Sequence, residues 1–422
     1  MLVHQSYRYE LKPNNKQMTL LAKHAGCARF AYNWGLSLRI EEYKLTKKSS
    51  NAIAQHKQLN LLKKTQFPWM YEVSKCAPQE ALRDLDKAFN NFYRGLKSKR
   101  KVGHPKFRKK NKNDSFRLTG SMHVHTDSVI LPRIGIIRTK ELTDLKGDIL
   151  SATVSKDIDR WFVSFSVERQ RKECNVIKNQ TIGIDVGLNS FCSLSDGTKI
   201  ESPKPLEHAL KLLKKRQRQH SKKKKGSQNR KRSTLSLGRL HRRIRNERKD
   251  FLNKLSTHLA KTKSVIIVED LNIKGMLKNH NLSRQIADSG WSQFLNQLSY
   301  KSTWYGSELI KAPRFYPSSK TCSVCGAVRV DMDLSERKFI CGMCGTIIDR
   351  DQNAARNLAY LSPYQNIWSE GSFQINNPTP SFGGSYACGD TSGGGTQSNL
   401  RSTSHVSVKQ EADTRYSDGI SG

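Results

Sequence analysis

Acidic side chains are scarce in this 422-residue chain: 36 Asp and Glu stand against 74 Lys and Arg, a formal charge of +38. An imbalance of that size goes far beyond what solubility requires and points to a polyanionic partner. Long apolar runs are also missing. Nothing approaches the roughly 20 residues a membrane helix needs, and neither a signal-type segment nor a lipidation motif is found. A membrane partner is therefore not expected, and nucleic acid is the better candidate. A disulfide framework is absent too, because nine cysteines scattered over a chain of this length fit a reducing, cytoplasmic setting. The length itself allows two or three domains.

The expected class is α/β. Ser6-Tyr-Arg-Tyr-Glu-Leu11 alternates as a half-buried strand does, before Pro13 and Asn14 break it. Apolar residues at helical spacing then predict a helix over about 15–45, with an interruption near Gly26, and a second from Pro78 to Leu96. Val129–Leu131, Ile136–Arg138, Ile149–Val154 and Trp161–Val167 read as short strands. Together these predict a small, wedge-like N-terminal β-barrel or sheet from residues 1–12 and 116–178, carrying an inserted helical unit over 13–115. A new domain begins at 179, where Thr181–Gly187 and Phe191–Asp196 look like paired strands. Ser264–Glu269 reads as a buried central strand, and Leu309–Ala312 as one more. A helix through Trp291 and Tyr305 would be capped around Asp288 and Ser289. Residues 362–422, rich in Gly, Ser, Thr and Asn, are expected to be disordered.

Two basic runs stand out. Residues 94–112 hold ten Lys or Arg and no acid, in a loop marked by Gly103 and Pro105. From Lys211 to Lys249 there are eighteen cations against the single acid Glu247, on a long helix broken near Gly226. Such runs repel themselves unless a polyanion neutralises them. The residues expected to meet phosphates are Lys106, Arg108, Lys109 and Lys110 in the first run, and Lys222, Lys223, Lys224, Lys225, Arg230, Arg242 and Arg243 in the second.

Cys322 and Cys325, then Cys341 and Cys344 after fifteen intervening residues, have the spacing of a zinc ribbon, with Gly326 and Gly345 following each pair. Four protein ligands leave no open position, so one structural Zn2+ is expected. The other five cysteines are read as ordinary thiols. Three acids stand apart from the rest: Asp185 within an apolar strand, Glu269 at the end of another, and Asp351 at the start of an alanine-rich helix. Acids commonly finish strands and cap helices. Together, in a chain so rich in cations, they fit a phosphodiesterase site in which carboxylates hold two Mg2+ or Mn2+ ions about 4 Å apart.

The order Gly-Ile-Asp185-Val-Gly-Leu, Ile-Val-Glu269-Asp-Leu, two Cys-x-x-Cys pairs and Asp-Arg-Asp351-Gln-Asn-Ala-Ala resembles the TnpB family, transposon-encoded proteins similar to type V CRISPR effectors. Ala28–Asn33, Gly103–Lys110 and Ala287–Trp291 extend the resemblance, which covers about residues 1–360. His104 departs from it, standing where an aromatic is common. The resemblance implies an RNase H-like (RuvC) nuclease domain over 179–315, a zinc ribbon at 316–348 inserted before a last nuclease segment at 349–361, and Asp185, Glu269 and Asp351 as catalytic acids. It favours Glu269 over Asp270 and Asp351 over Asp349, and it lays Lys75 and Gln79 along target duplex. The implied activity is RNA-guided cleavage of double-stranded DNA beside a short adjacent motif. The implied partners are a guide RNA from the transposon end and a companion transposase encoded nearby, in the nucleoid-associated cytosol of a prokaryote. Two other readings stay open: an unguided transposase or recombinase using the same metals, and a nucleic-acid-binding regulator whose acids are structural.

Overall fold

The alternating stretch at Ser6–Leu11 is the middle of a longer strand, β1 (Leu2–Lys12). The computed structural model describes residues 1–171, 180–333 and 335–362. Cys174, Cys388 and residues 363–422 of the expected disordered tail lie outside the described residues. The chain divides into two units, Met1–Arg171 and the remainder.

In the first unit β1 is followed by α1 (Asn15–Thr46), α2 (Ala52–Thr65) and α3 (Cys76–Lys97), and then by β2 (Ser115–Leu118), β3 (His123–Val124), β4 (Ser128–Leu131), β5 (Gly135–Thr139), β6 (Asp148–Asp157) and β7 (Arg160–Gln170). The sheet order is β2-β6-β7-β1-β5-β4-β3. β1 pairs antiparallel with β7 from Leu2↔Gln170 to Leu11↔Trp161 and passes its last residues to β5. The first strand thus sits mid-sheet beside strands more than a hundred residues away, and the helices leave from its end and return at β2. Inward-facing residues of both parts form one core, including Leu11, Phe165, Leu21, Leu36 and Leu85.

Two features differ from the sequence expectation. α1 runs through Gly26 without a break, its start fixed by a capping box in which Asn14 and Gln17 exchange hydrogen bonds. One glycine costs a helix about 1 kcal/mol, which the buried face of thirty-two residues outweighs. α2 carries no clear apolar stripe, because its buried positions are Ala52, Gln55, Leu59 and Lys63, two of them polar. Gln55 is held there by a bond from its amide to the Gly35 carbonyl at 2.8 Å.

The second unit opens with β8 (Thr181–Val186), β9 (Ser190–Leu194) and β10 (Lys199–Glu201). A helical hairpin follows, α4 (Pro205–Ser221) and α5 (Gln228–Thr262), which breaks at Gly226 as the sequence suggests. Then come β11 (Val265–Glu269), α6 (Ile273–Met276), α7 (Ser283–Ser289), α8 (Trp291–Tyr305), β12 (Glu308–Ala312), β13 (Lys338–Ile340), β14 (Ile347–Asp349) and α9 (Arg350–Ala359). The order β10-β9-β8-β11-β12 makes a mixed sheet, with β8, β11 and β12 parallel and the other pairings antiparallel. The cap expected at Asp288 and Ser289 is not there. Gly290, at φ +72°, separates α7 from α8, while Asp288 accepts from the Leu206 amide and from Arg248.

β11 is apolar up to its last residue, Glu269, because both its faces are covered. Ile266 and Val268 pack with Ile182 and Ile184 of β8 against α5, α7 and α8, whereas Val265 and Ile267 face Leu358 of α9. On β8 the position opposite Ile182 and Ile184 is Gly183, and there α9 comes into backbone contact. A Cβ at Gly183 would lie 2.0 Å from the Ala355 carbonyl oxygen and 2.5 Å from the Ala359 nitrogen. Gly183→Ala should therefore destabilise this unit by about 3 kcal/mol or more, seen as a lowered denaturant midpoint. A variant as stable as the parent would contradict the close packing of α9 on β8.

Candidate active site

Strand alternation decides where two of the three acids point. Asp185 shares its side of β8 with Gly183, and Glu269 shares its side of β11 with Val265 and Ile267, so both face α9. The strands are parallel and Ile184 pairs with Val268, which brings the next residues, Asp185 and Glu269, side by side at the ends of their strands. α9 runs against β8. Four helical residues, from Ala355 back to Asp351, span about 6 Å, and two strand residues, from Gly183 to Asp185, about 6.6 Å. The first turn of α9 therefore delivers Asp351 to the same end, where a Cβ on Gly187 would sit 3.8 Å from its Oδ2. All three carboxylates are half-buried. Burial, and then repulsion from Glu269 and Asp351, holds the Asp185 carboxyl well above the usual Asp range, with Arg350 acting in the opposite direction.

Neighbouring acids are kept out of this cluster by fixed partners. Asp270 is gripped by Arg314 through Nε at 3.1 Å and a terminal nitrogen at 2.6 Å. Asp349 caps α9, accepting from the amides of Asp351 and Gln352, and pairs with Lys199 at 2.7 Å. The capping role that the sequence left open for Asp351 thus falls to Asp349. Glu269 keeps one fixed partner, the Ser318 hydroxyl, which donates to Oε1 at 2.6 Å. Sequence reasoning missed Ser318, Lys199, Arg314 and the packing role of Gly183. Only Gly183 left a signal, as the small residue of Gly-Ile-Asp.

The four cysteines converge. Their sulfurs all lie within 4.8 Å of one another, with 3.5 Å between Cys325 and Cys341 and 3.7 Å between Cys322 and Cys344. A tetrahedron with Zn–S bonds of about 2.3 Å has edges of about 3.8 Å, so the quartet fits zinc. Each knuckle closes alike: Gly326 and Gly345, at φ +77° and +71°, donate to the carbonyls of Cys322 and Cys341 at 3.0 Å. Among the described residues the carboxylates form no such tight set.

The expected phosphate contacts divide. Lys75 is exposed at the start of α3, with half-buried Gln79 one turn on. Lys106, Lys109 and Lys110 are exposed, but Arg108 lies 3.9 Å over the Tyr32 ring and pairs with Asp84 at 3.5 Å, while Asn33 binds its main chain at 2.7 and 2.9 Å. Lys222, Lys224 and Lys225 are exposed and Lys223 is half-buried. Arg230 instead ties down the turn through the Lys223 carbonyl at 2.7 Å, Arg242 is buried, and Arg243 pairs with Glu247 at 2.7 Å. Arg108, Arg230 and Arg242 are thus engaged within the fold rather than presented as surface cations. Lys211, Lys214, Lys215 and Arg218 on α4, outside the expected set, line an open groove together with Lys222.

Two outcomes follow. The raised pKa of Asp185 means that it favours the metal-free fold at low pH, an advantage lost as pH rises through that value. Asp185→Asn should therefore raise the Tm of the metal-free protein near neutrality, the gain shrinking as pH falls toward 3.8, the ordinary Asp value. Mg2+ should raise the Tm of the parent and leave the variant unmoved, both read by calorimetry. Elemental analysis should find one zinc per chain, lost in Cys322→Ala and in Cys341→Ala.

Residues 164–280 match a family model described as a probable transposase, 291–358 one described as a Cas12f1-like TNB domain, and 1–48 one described as a helix-turn-helix domain. In this structure residues 1–48 hold one strand and one unbroken helix. A protein of Streptomyces pristinaespiralis named "Putative RNA-guided DNA endonuclease" is 35% identical over 367 residues, spanning 84% of this chain and 89% of that protein. Another, InsQ of Escherichia coli, carries the same description and is 29% identical over 375 residues, 84% of this chain and 91% of its own. A TnpB-like protein of Acanthamoeba polyphaga mimivirus is 29% identical over 209 residues, 46% of this chain and 38% of its own. With 35% of the aligned residues identical over 89% of the length of the Streptomyces protein, this chain belongs to the TnpB-like family.

Proposed function

We propose that this chain is an RNA-guided DNA endonuclease whose second unit is an RNase H-like (RuvC) nuclease. Asp185, Glu269 and Asp351 hold its divalent cations, and the cysteine quartet holds a structural zinc. The observation that carries the metal site is the sorting of acids at one end of the sheet. Asp270 and Asp349 are taken up by Arg314, Lys199 and helix amides, while Asp185, Glu269 and Asp351 share one face and repel one another. Mutual repulsion among half-buried carboxylates is what a bound cation relieves. Guide RNA and DNA target enter from the printed descriptions of the relatives and agree with a formal charge of +38.

Mg2+ or Mn2+ bound there would generate the attacking hydroxide and neutralise the leaving oxygen. The chain's own contribution is to hold three carboxylate oxygens on rigid elements, two at strand ends and one in the first turn of a helix packed across those strands. Exposed lysines on α4, on the turn after it and on the 98–112 loop neutralise phosphates, while guide pairing reads sequence. In the first unit, the wedge-like β part and its inserted helices would lie along target duplex through Lys75 and Gln79.

The chain should be purified with RNA transcribed from its own transposon end and tested on a randomised DNA library. Expected are retained RNA whose binding weakens steeply with salt, and Mg2+-dependent cuts beside one short motif. Asp185→Asn and Asp351→Asn should each lower cleavage by at least about 10³-fold while RNA stays bound. Joined DNA products formed without RNA would indicate an unguided transposase instead. Retained RNA with no cleavage in any divalent metal would leave a binding protein.

A further inference from the structure

The segment between β12 and the first zinc knuckle is stitched to α9 from inside. Asn353 and Asn357 lie one turn apart on that helix at 0% and 2% exposure. The Asn357 amide donates to the carbonyls of Ser318 at 2.7 Å and Thr321 at 2.6 Å. Asn353 donates to the same Thr321 carbonyl at 2.6 Å and accepts from the Ser323 amide, between the first two cysteines, at 2.9 Å. Asparagine is a poor helix former, and a buried amide is costly unless its bonds are made. Two of them facing inward on a ten-residue helix are explained by this ladder. At its far end the buried Ser318 hydroxyl reaches Glu269. A single hydrogen-bonded path thus runs from the Cys322 knuckle across α9, which carries Asp351, to Glu269.

We infer that Ser318 is a positioning residue for Glu269, and that the Asn353–Asn357 ladder makes the zinc knuckle a support for the divalent-metal site. The inference rests on the proposed metal-binding role of the acid cluster. By bonding Oε1, the Ser318 hydroxyl restrains the rotation of the Glu269 carboxylate. Hydrogen bonds to metal-binding carboxylates commonly set affinity by 10- to 100-fold, roughly. The knuckle determines where Ser318 stands, so the two metal sites are mechanically linked although zinc takes no part in the chemistry.

The test titrates Mn2+ alone into the zinc-loaded full chain by calorimetry, with Asp185→Asn as background. Ser318→Ala should weaken Mn2+ binding by about tenfold or more with zinc content unchanged, and Ser318→Thr, which keeps the hydroxyl, should restore it. Asn357→Leu should weaken Mn2+ binding in the same direction while one zinc is retained. If Ser318→Ala loses zinc or helix content, Ser318→Cys carries the comparison, because a thiol of similar size donates only weakly. Parental Mn2+ affinity in Ser318→Ala and Ser318→Cys, or a lowered Tm in them with affinity unchanged, would overturn the positioning role. No Mn2+ binding above background in the parent would instead overturn the acid-cluster reading itself.

Discussion

The second unit depends on one close approach, the backbone of α9 lying against Gly183 of β8 with no side chain between them. That contact sets the depth of the helix over the two central strands, and with it the separation of Asp351 from Asp185 and Glu269. A larger residue at 183 would lift the whole helix. The cluster so assembled is electrostatically unfavourable without a cation, since burial and two neighbouring carboxylates oppose ionisation of Asp185. The fold bears this because α9 and the strands are held by apolar contacts elsewhere, at Leu358, Val265 and Ile267 on one side and by the aromatic core around Phe191 and Phe294 on the other.

Five acids crowd the region where β8, β11 and α9 meet, and the protein treats them differently. Asp270 and Asp349 have cationic or amide partners that satisfy their lone pairs, while the other three remain available. Glu269 is intermediate: one of its oxygens is bound by the Ser318 hydroxyl. The same economy governs the cations. Arg108, Arg230 and Arg242 serve the fold, where a planar guanidinium can stack or bridge carbonyls, and lysines predominate on the exposed turn and on the α4 groove. Flexible ammonium groups suit a surface that follows a phosphate backbone without reading bases.

In the first unit the basic loop before β2 is anchored rather than loose. Asn33 of α1 binds the Arg108 main chain on both sides, and Tyr32 supports its side chain. Ala28–Asn33 and Gly103–Lys110, the two N-terminal stretches that carry the resemblance, thus meet in one contact.

What the sequence determined by itself was whatever depends on local period and local spacing. Alternation marked β1, short strand-like stretches separated by turns marked β4 to β7, the unbroken apolar run marked β11, helical spacing marked α1 and α3, and the Cys-x-x-Cys pairs with their glycines implied the knuckles. The motif order identified Asp185, Glu269 and Asp351. α2 escaped because two of its four buried positions are polar and satisfied by distant partners, and the Gly26 break failed because a long packed face outweighs one glycine. Only the tertiary structure decided which acid caps α9, which arginines are engaged within the fold, and that Ser318, Asn353 and Asn357 tie the first cysteine knuckle to Glu269. Each of those rests on hydrogen bonds between residues far apart in the chain. A carboxylate, a guanidinium or an amide looks the same in sequence whether its partner is solvent, a ligand or another part of the fold.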